Sequence, residues 1–291
     1  MDISAKLVKE LREKTGAGLM DCKKALVETN GDIEQAVDWL REKGIAKAAK
    51  KASRIAAEGA CEVKVNENAA VIFELNCETD FVAKNDKFQD LVSRIGEALL
   101  EAQPVDNDQA LETKVNGKVL KDMLLEEVST IGENLTFRRY ELVLKNDDQT
   151  FGAYVHMGGK IASLAVLNGV NQEVAKDIAM HAAAMRPLYV NKESVDSETI
   201  EKERHIIKEQ AINEGKPAEI AEKMVEGRIR KFYEEVCLEE QAFIKDGDIK
   251  VATYASNNNC KVITMLRYEV GEGMEKREEN FAEEVQKQIN G

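Results

Sequence analysis

Few side chains in this 291-residue sequence are of the types that do covalent chemistry. There are three histidines, His156, His181 and His205, and five cysteines, Cys22, Cys61, Cys77, Cys237 and Cys260. A thiolate mechanism would pair Cys77 with His156 or His181. Cys77, however, ends a strand-like apolar run, and His181 lies among alanines and methionines on a predicted helix, so both read as core residues. His156, beside Gly158-Gly159, is expected to be exposed and open to a contact role. The cysteines are odd in number and never spaced as CxxC, which argues against a disulfide scaffold or a structural zinc and fits a reducing compartment. Gly16-Ala17-Gly18, Gly158-Gly159-Lys160 and Gly271-Glu272-Gly273 lack the spacing and context of phosphate-cradling loops and read as turns. No pair of carboxylates stands out from the solvated surface.

The sharpest local feature is Thr79-Asp80-Phe81-Val82-Ala83-Lys84-Asn85. Thr79 or Asp80 can cap a helix, and Val82 can face a core. Phe81 is an aromatic at the polar start of that helix. It is either a hydrophobic staple on the following turn or a probe that stays partly exposed until a partner buries it.

The surrounding periodicities predict the elements that place these residues. Three short helices come first, around Leu7, Val8 and Leu11, over Asp21–Glu28, and over Ile33–Glu42, with turns at Thr15–Met20 and Asn30-Gly31-Asp32. An Ala-rich linker helix, Gly44–Arg54, sets Lys47, Lys50, Lys51 and Arg54 on one face, either a solvated face or a contact for an acidic partner. Cys61–Val65 and Ala69–Asn76 predict a β-hairpin, followed by a helix from Phe81 to Glu101. Phe151–Met157 and Lys160–Asn168 predict a second hairpin, followed by a helix over Glu173–Met185. The strands Leu135–Glu141 and Ile263–Glu269, both carrying Arg-Tyr-Glu, close the two series. Hairpin, helix and closing strand occurring twice in order indicate duplicated subdomains. Pro187–Val236 interrupts the second copy with two amphipathic stretches, marked by Ile200, Ile207 and Ala211 and by Ile220, Met224, Val225, Ile229, Phe232 and Val236. The Gly215-Lys216-Pro217 turn makes them an antiparallel helical hairpin, serving as interaction surface or scaffold. A tail helix is expected over Glu272–Asn290, around Phe281 and Val285.

The predicted fold class is therefore α+β, divided into residues 1–54, 55–145, 146–186 with 237–270, 187–236 and 271–291. Hydrophobic residues make up 43% and charged residues 33%, as in a soluble protein with real cores. The net charge of −13 argues against a general binder of nucleic acid or membrane surface. Residues 1–54 depart from that average, with twelve Lys/Arg against nine Asp/Glu. The opening Met1–Lys6 has no apolar leader core, and the longest charge-free apolar run, Ile161–Leu167, is far too short for a membrane span. A cytosolic location, or an organelle after transit-peptide removal, is the expectation.

Over essentially its whole length the sequence resembles the bacterial elongation factor Ts family. The residues that carry the resemblance are Leu11–Gly18, Met20–Leu26, Thr79–Asn85, Ile131–Asn134, His181–Ala184, Gly215–Pro217, Glu219–Arg228 and Arg267–Gly273. It implies a guanine-nucleotide exchange factor for elongation factor Tu, without cofactor or covalent chemistry of its own. It further implies that residues 1–54 are a ubiquitin-associated-like module docking on the GTPase, and that Thr79, Asp80, Phe81 and Val82 disturb its magnesium site. Arg12, Met20, Lys23, Ile131, Gly132 and His156 become further partner contacts, the tail helix braces the complex, and the helical hairpin is a route to a homodimer or heterotetramer. From another class, a helical module on an acidic body also suits an adaptor that binds chains without exchange activity. A thiol hydrolase built on Cys77 is a third reading.

Overall fold

The computed structural model describes residues 3–275; the expected tail helix and its Phe281 and Val285 lie largely outside them. The described residues form eleven α-helices and small antiparallel sheets, an α+β architecture. The first helices are α1 (Ala5–Thr15), α2 (Leu19–Glu28) and α3 (Ile33–Lys51), packed around Val8, Leu11, Cys22, Ala25, Leu26 and Ala36. Helix α2 starts two residues earlier than expected, so Leu19 and Met20 belong to its exposed first turn. Helix α3 has no break where a separate linker helix was expected. It continues through Gly44, which lies against Ser129: a Cβ there would come within 2.7 Å of the serine hydroxyl. The missing side chain lets α3 pack closely on α7 (Leu120–Ile131).

Two copies of one topology follow. Strands β1 (Glu58–Val65), β2 (Ala69–Cys77) and β5 (Thr136–Leu144) form one sheet with β2 central; β6 (Gln149–His156), β7 (Ile161–Asn168) and β10 (Lys261–Glu269) form the other with β7 central. All pairings are antiparallel. Every residue of β2 is buried, because its two faces meet different layers. Val71, Phe73, Leu75 and Cys77 point at helices, whereas Ala70 and Ile72 point at the second sheet, as a period of two requires. In β7, Ala165 and Leu167 face helices and Ala162, Leu164 and Val166 face the first sheet. The two sheets thus stack face to face, each backed by helices on its outer side.

The first backing layer contains α5 (Asp86–Ala102), α6 (Asn107–Glu112) and α7; β3 (Lys114–Val115) and β4 (Lys118–Val119) form a small ribbon before α7. The second contains α8 (Gln172–Met185) and α11 (Val251–Asn257). The helix expected over Phe81–Glu101 is two helices, a single turn α4 (Asp80–Ala83) and then α5. They part at Lys84-Asn85 because the Asn85 side chain accepts from the Lys87 N–H at 2.9 Å and starts a new helix.

The interrupting segment forms α9 (Ser197–Asn213) and α10 (Ala218–Val236), and the ribbon of β8 (Ala242–Phe243) and β9 (Asp246–Lys250) follows it. Ion pairs Arg204–Glu226 and Lys208–Glu222 run in opposite directions along the two helices, which are therefore antiparallel. Their seam is Ile207, Ala211, Ala221, Val225, Ile229 and Tyr233. The expected stripes narrow: Ile220 is exposed, because Ala221 takes the inward position beside the turn, Tyr233 rather than Phe232 closes the seam, and Ile200, Met224 and Val236 are only half-buried. Among the described residues no helix is long and apolar enough to cross a membrane.

Candidate functional site

Strand β2 delivers the chain to Glu78 and Thr79 at one end of the first sheet. Thr79 is extended and caps α4, its hydroxyl accepting from the Val82 N–H at 3.3 Å. The same hydroxyl donates to Glu133 Oε1 at 2.6 Å, while Glu133 Oε2 accepts from the N–H groups of Glu78 at 2.9 Å and Thr79 at 3.0 Å. Glu133 follows Gly132, the left-handed residue that caps α7. In return, Glu78 Oε1 accepts from the Asn134 N–H at 2.7 Å, and the Asn134 amide donates to the Arg54 carbonyl at 2.9 Å. Two loops distant in sequence are thereby locked together.

On this base α4 turns Ala83 and, partly, Val82 toward the first core. Phe81 points away from it and is 83% exposed. The staple reading does not describe Phe81, which has no cover. Asp80 pairs with Lys84 at 2.6 Å, and that hydrogen bond holds its carboxyl below the usual aspartate range.

The second subdomain reaches the same place. Its β6–β7 turn lies on β1, where the Cys61 N–H donates to the Gly159 carbonyl at 2.7 Å and Lys160 pairs with Glu58 at 2.6 Å. Gly159 has φ +97°, and a Cβ there would stand 2.7 Å from that of Ala60, so glycine is required on both counts. Gln89 of α5 donates to the carbonyls of Ala83 at 2.6 Å and Gly158 at 3.2 Å, joining the end of α4 to that turn. His156 is half-buried, not exposed as expected: its ring stacks on Tyr154, whose hydroxyl is 3.0 Å from Nδ1. The neighbouring Met157 is the exposed one, at 75%. Its exposure carries no local signal, because nothing about a methionine before two glycines separates it from the adjoining strand.

Thr79–Val82, Ile131, Gly132 and the His156 turn are thus linked through Glu133 and Gln89. Ile131 itself packs partly on the first core, and Gly132 is exposed. Arg12, Met20 and Lys23 form a separate surface on α1 and α2; all three are exposed, Met20 at 74%, next to exposed Leu19. The basic strip divides. Lys51 donates to the Gly132 carbonyl and Arg54 pairs with Glu78 at 3.4 Å, so these two fasten α3 and the residues after it to the locked loops. Lys50 is exposed, and the side chain of Lys47 lies outside the described residues.

The candidate thiol–imidazole pairs are not formed. Cys77 is buried in the first core, where loss of solvent pushes its thiol up to about 12, and its Sγ donates to the Thr79 carbonyl at 3.2 Å. His181 is buried beside the second core, with Nε2 2.9 Å from Gln241 Oε1 and Nδ1 accepting from the Ile244 N–H at 3.1 Å. Those bonds fix a neutral ring protonated on Nε2.

The sequence model of the family described as elongation factor TS matches residues 78–272. The match begins at Glu78, the first residue of the locked loops, and takes in Thr79–Val82, Ile131, Gly132 and His156. Arg12, Met20 and Lys23 lie before it.

Proposed function

The chain belongs to the elongation factor Ts family, a family of translation elongation factors, and on that premise we propose that it is a guanine-nucleotide exchange factor for elongation factor Tu. The observation that carries the reading is Phe81, a large apolar side chain 83% exposed on a hydrogen-bonded ridge beside a carboxylate. Burial of such a ring in a partner contributes roughly 1.5–3 kcal/mol. The network around Thr79 fixes the ridge beforehand, so little of that gain is spent on ordering it.

An exchange factor performs no covalent step. It binds the nucleotide-free GTPase more tightly than the loaded one, and by linkage weakens nucleotide binding by the same factor. A 10⁴-fold shift takes about 5.5 kcal/mol of differential affinity. Phe81 wedges into the GTPase, and Asp80 disturbs a magnesium ion whose octahedral shell tolerates little distortion. Thr79 and Val82 set the ridge. The exposed Leu19-Met20 turn with Arg12 and Lys23, in a ubiquitin-associated-like module, docks on the GTPase. Gly132, Ile131 and the His156 turn widen the contact. The helical hairpin serves self-association or higher-order assembly.

Release of a fluorescent GDP from purified elongation factor Tu tests the proposal. Addition of this protein should accelerate release, and Phe81→Ala should slow that release more than it weakens docking. Release unaffected by the wild-type protein would favour the adaptor reading.

A further inference from the structure

We infer that Glu133 is the positioning residue that aims Phe81, an inference that rests on the exchange-factor reading. With its ring exposed, Phe81 gains no location from packing; its place in space is set by the backbone of residues 78–82. Helix α4 has four residues, too few to persist alone, since a helical nucleus costs more than one turn of bonds returns. Core packing of Ala83 and the Gln89 bond hold its far end; its start, where Phe81 sits, is held by the cap, and what holds the cap is Glu133. This carboxylate takes the N–H groups of Glu78 and Thr79 on one oxygen and the Thr79 hydroxyl on the other, the bonds being 2.6–3.0 Å long. With its proton committed to Glu133, the threonine oxygen keeps its lone pairs toward the Val82 N–H.

Three donors on one side chain leave no substitute with the same capacity. Glutamine keeps the shape but offers a single accepting oxygen, and its NH2 group would meet either two N–H donors or a hydroxyl forced to reverse. Alanine leaves all three donors without a protein partner. Glu133 also stands between Gly132, whose carbonyl takes Lys51, and Asn134, which is bonded to Glu78 and Arg54. The loop that aims Phe81 is thus the loop to which the end of the N-terminal helical module is tied.

The experiment is a double-mutant cycle in GDP release from elongation factor Tu. Glu133→Gln and Glu133→Ala should each lower the accelerated release rate, on the order of tenfold for alanine, with a smaller change in docking affinity. In a Phe81→Ala background the same substitutions should change the rate less than about twofold, because residues acting through one group are not additive. Val251→Ala, a truncation in the second core, supplies a destabilised control that should leave the rate unchanged. Equal losses in both backgrounds, or a loss matched by the control, would overturn the inference. Amide hydrogen exchange gives a readout without the GTPase: Glu133→Gln should deprotect the Thr79 and Val82 amides while those of β7 stay protected. Unchanged protection there would also overturn it. A wild-type protein that fails to accelerate release would instead remove the exchange reading, leaving hydrogen exchange to decide whether Glu133 holds the cap.

Discussion

Glu74, in the central strand of the first sheet, accepts a hydrogen bond at 2.8 Å from the backbone N–H of Gly271, 197 positions later in the chain. The carboxylate is fully buried and also accepts from Arg138 at 3.0 Å, Arg139 at 2.6 Å and Asn76 at 2.9 Å. Arg139 in turn lies 4.0 Å over the ring of Tyr268 in β10. One buried charge therefore seals the junction between the two sheets.

Removing that charge leaves the Gly271 N–H without its acceptor and takes the buried counter-charge from two guanidinium groups, which keep the Glu269 carbonyl and Glu272. Glu74→Ala should destabilise the protein by about 3–5 kcal/mol, the range for breaking a buried ion pair from one side. Glu74→Gln, which retains an acceptor, should cost less. Urea unfolding midpoints at constant m-value would check the ranking.

Phe81 and Phe88 are seven residues apart and should behave as opposites. Phe88 is buried in the first core, so Phe88→Ala should cost about 3–5 kcal/mol of stability. Phe81→Ala should stay within about 0.5 kcal/mol of wild type. A stability loss at Phe81 comparable to that at Phe88 would contradict its exposure; the comparison needs only two denaturation curves.

His181 should make stability depend on pH. Burial lowers its pKa below the ordinary 6.5, so just below that value the unfolded chain binds a proton that the folded chain refuses. The contribution is therefore present above about pH 6.5 and is lost as pH falls through the folded value. The melting temperature should drop on acidification from pH 7.5 to 5.5. His181→Gln should be less stable throughout yet show a shallower drop, which differential scanning calorimetry would reveal.

All five cysteines are buried, and burial raises the Cys77 thiol to about 12 and the Cys237 thiol to about 11. Native protein at pH 8 should react slowly with a thiol reagent, and unfolding in guanidinium should release five equivalents. Cys77→Ser should leave GDP release intact; a hydrolytic activity lost in that variant while release stays intact would instead support the thiol reading.

Much of the fold was legible in local pattern. Short apolar runs on either side of a turn marked β1, β2, β6 and β7, and the repeated Arg-Tyr-Glu strands marked the duplication, because strand and turn chemistry act over a few residues. The candidate site was legible as an oddity: Phe81 beside Asp80 where a polar helix start was expected. Its exposure was not, since a staple and a probe share one local sequence. Glu133 could not be read as the anchor of Thr79, since a lone glutamate after a helix-capping glycine is indistinguishable from any surface acid until the fold brings it 54 positions back along the chain.

The likeness between the two copies also hid a difference. Val82-Ala83-Lys84 and Val174-Ala175-Lys176 match, yet Val174 and Ala175 lie in one unbroken helix, with exposed Glu173 where the first copy has Phe81. The sequence by itself determined the α+β class, the repeated topology and the residues able to form an apolar probe, all consequences of short-range periodicity and side-chain chemistry. Only the tertiary structure decided that the two sheets stack face to face and that Glu133 and Gln89 join three distant loops around α4. Those are contacts between groups far apart in the chain, and no local preference encodes them.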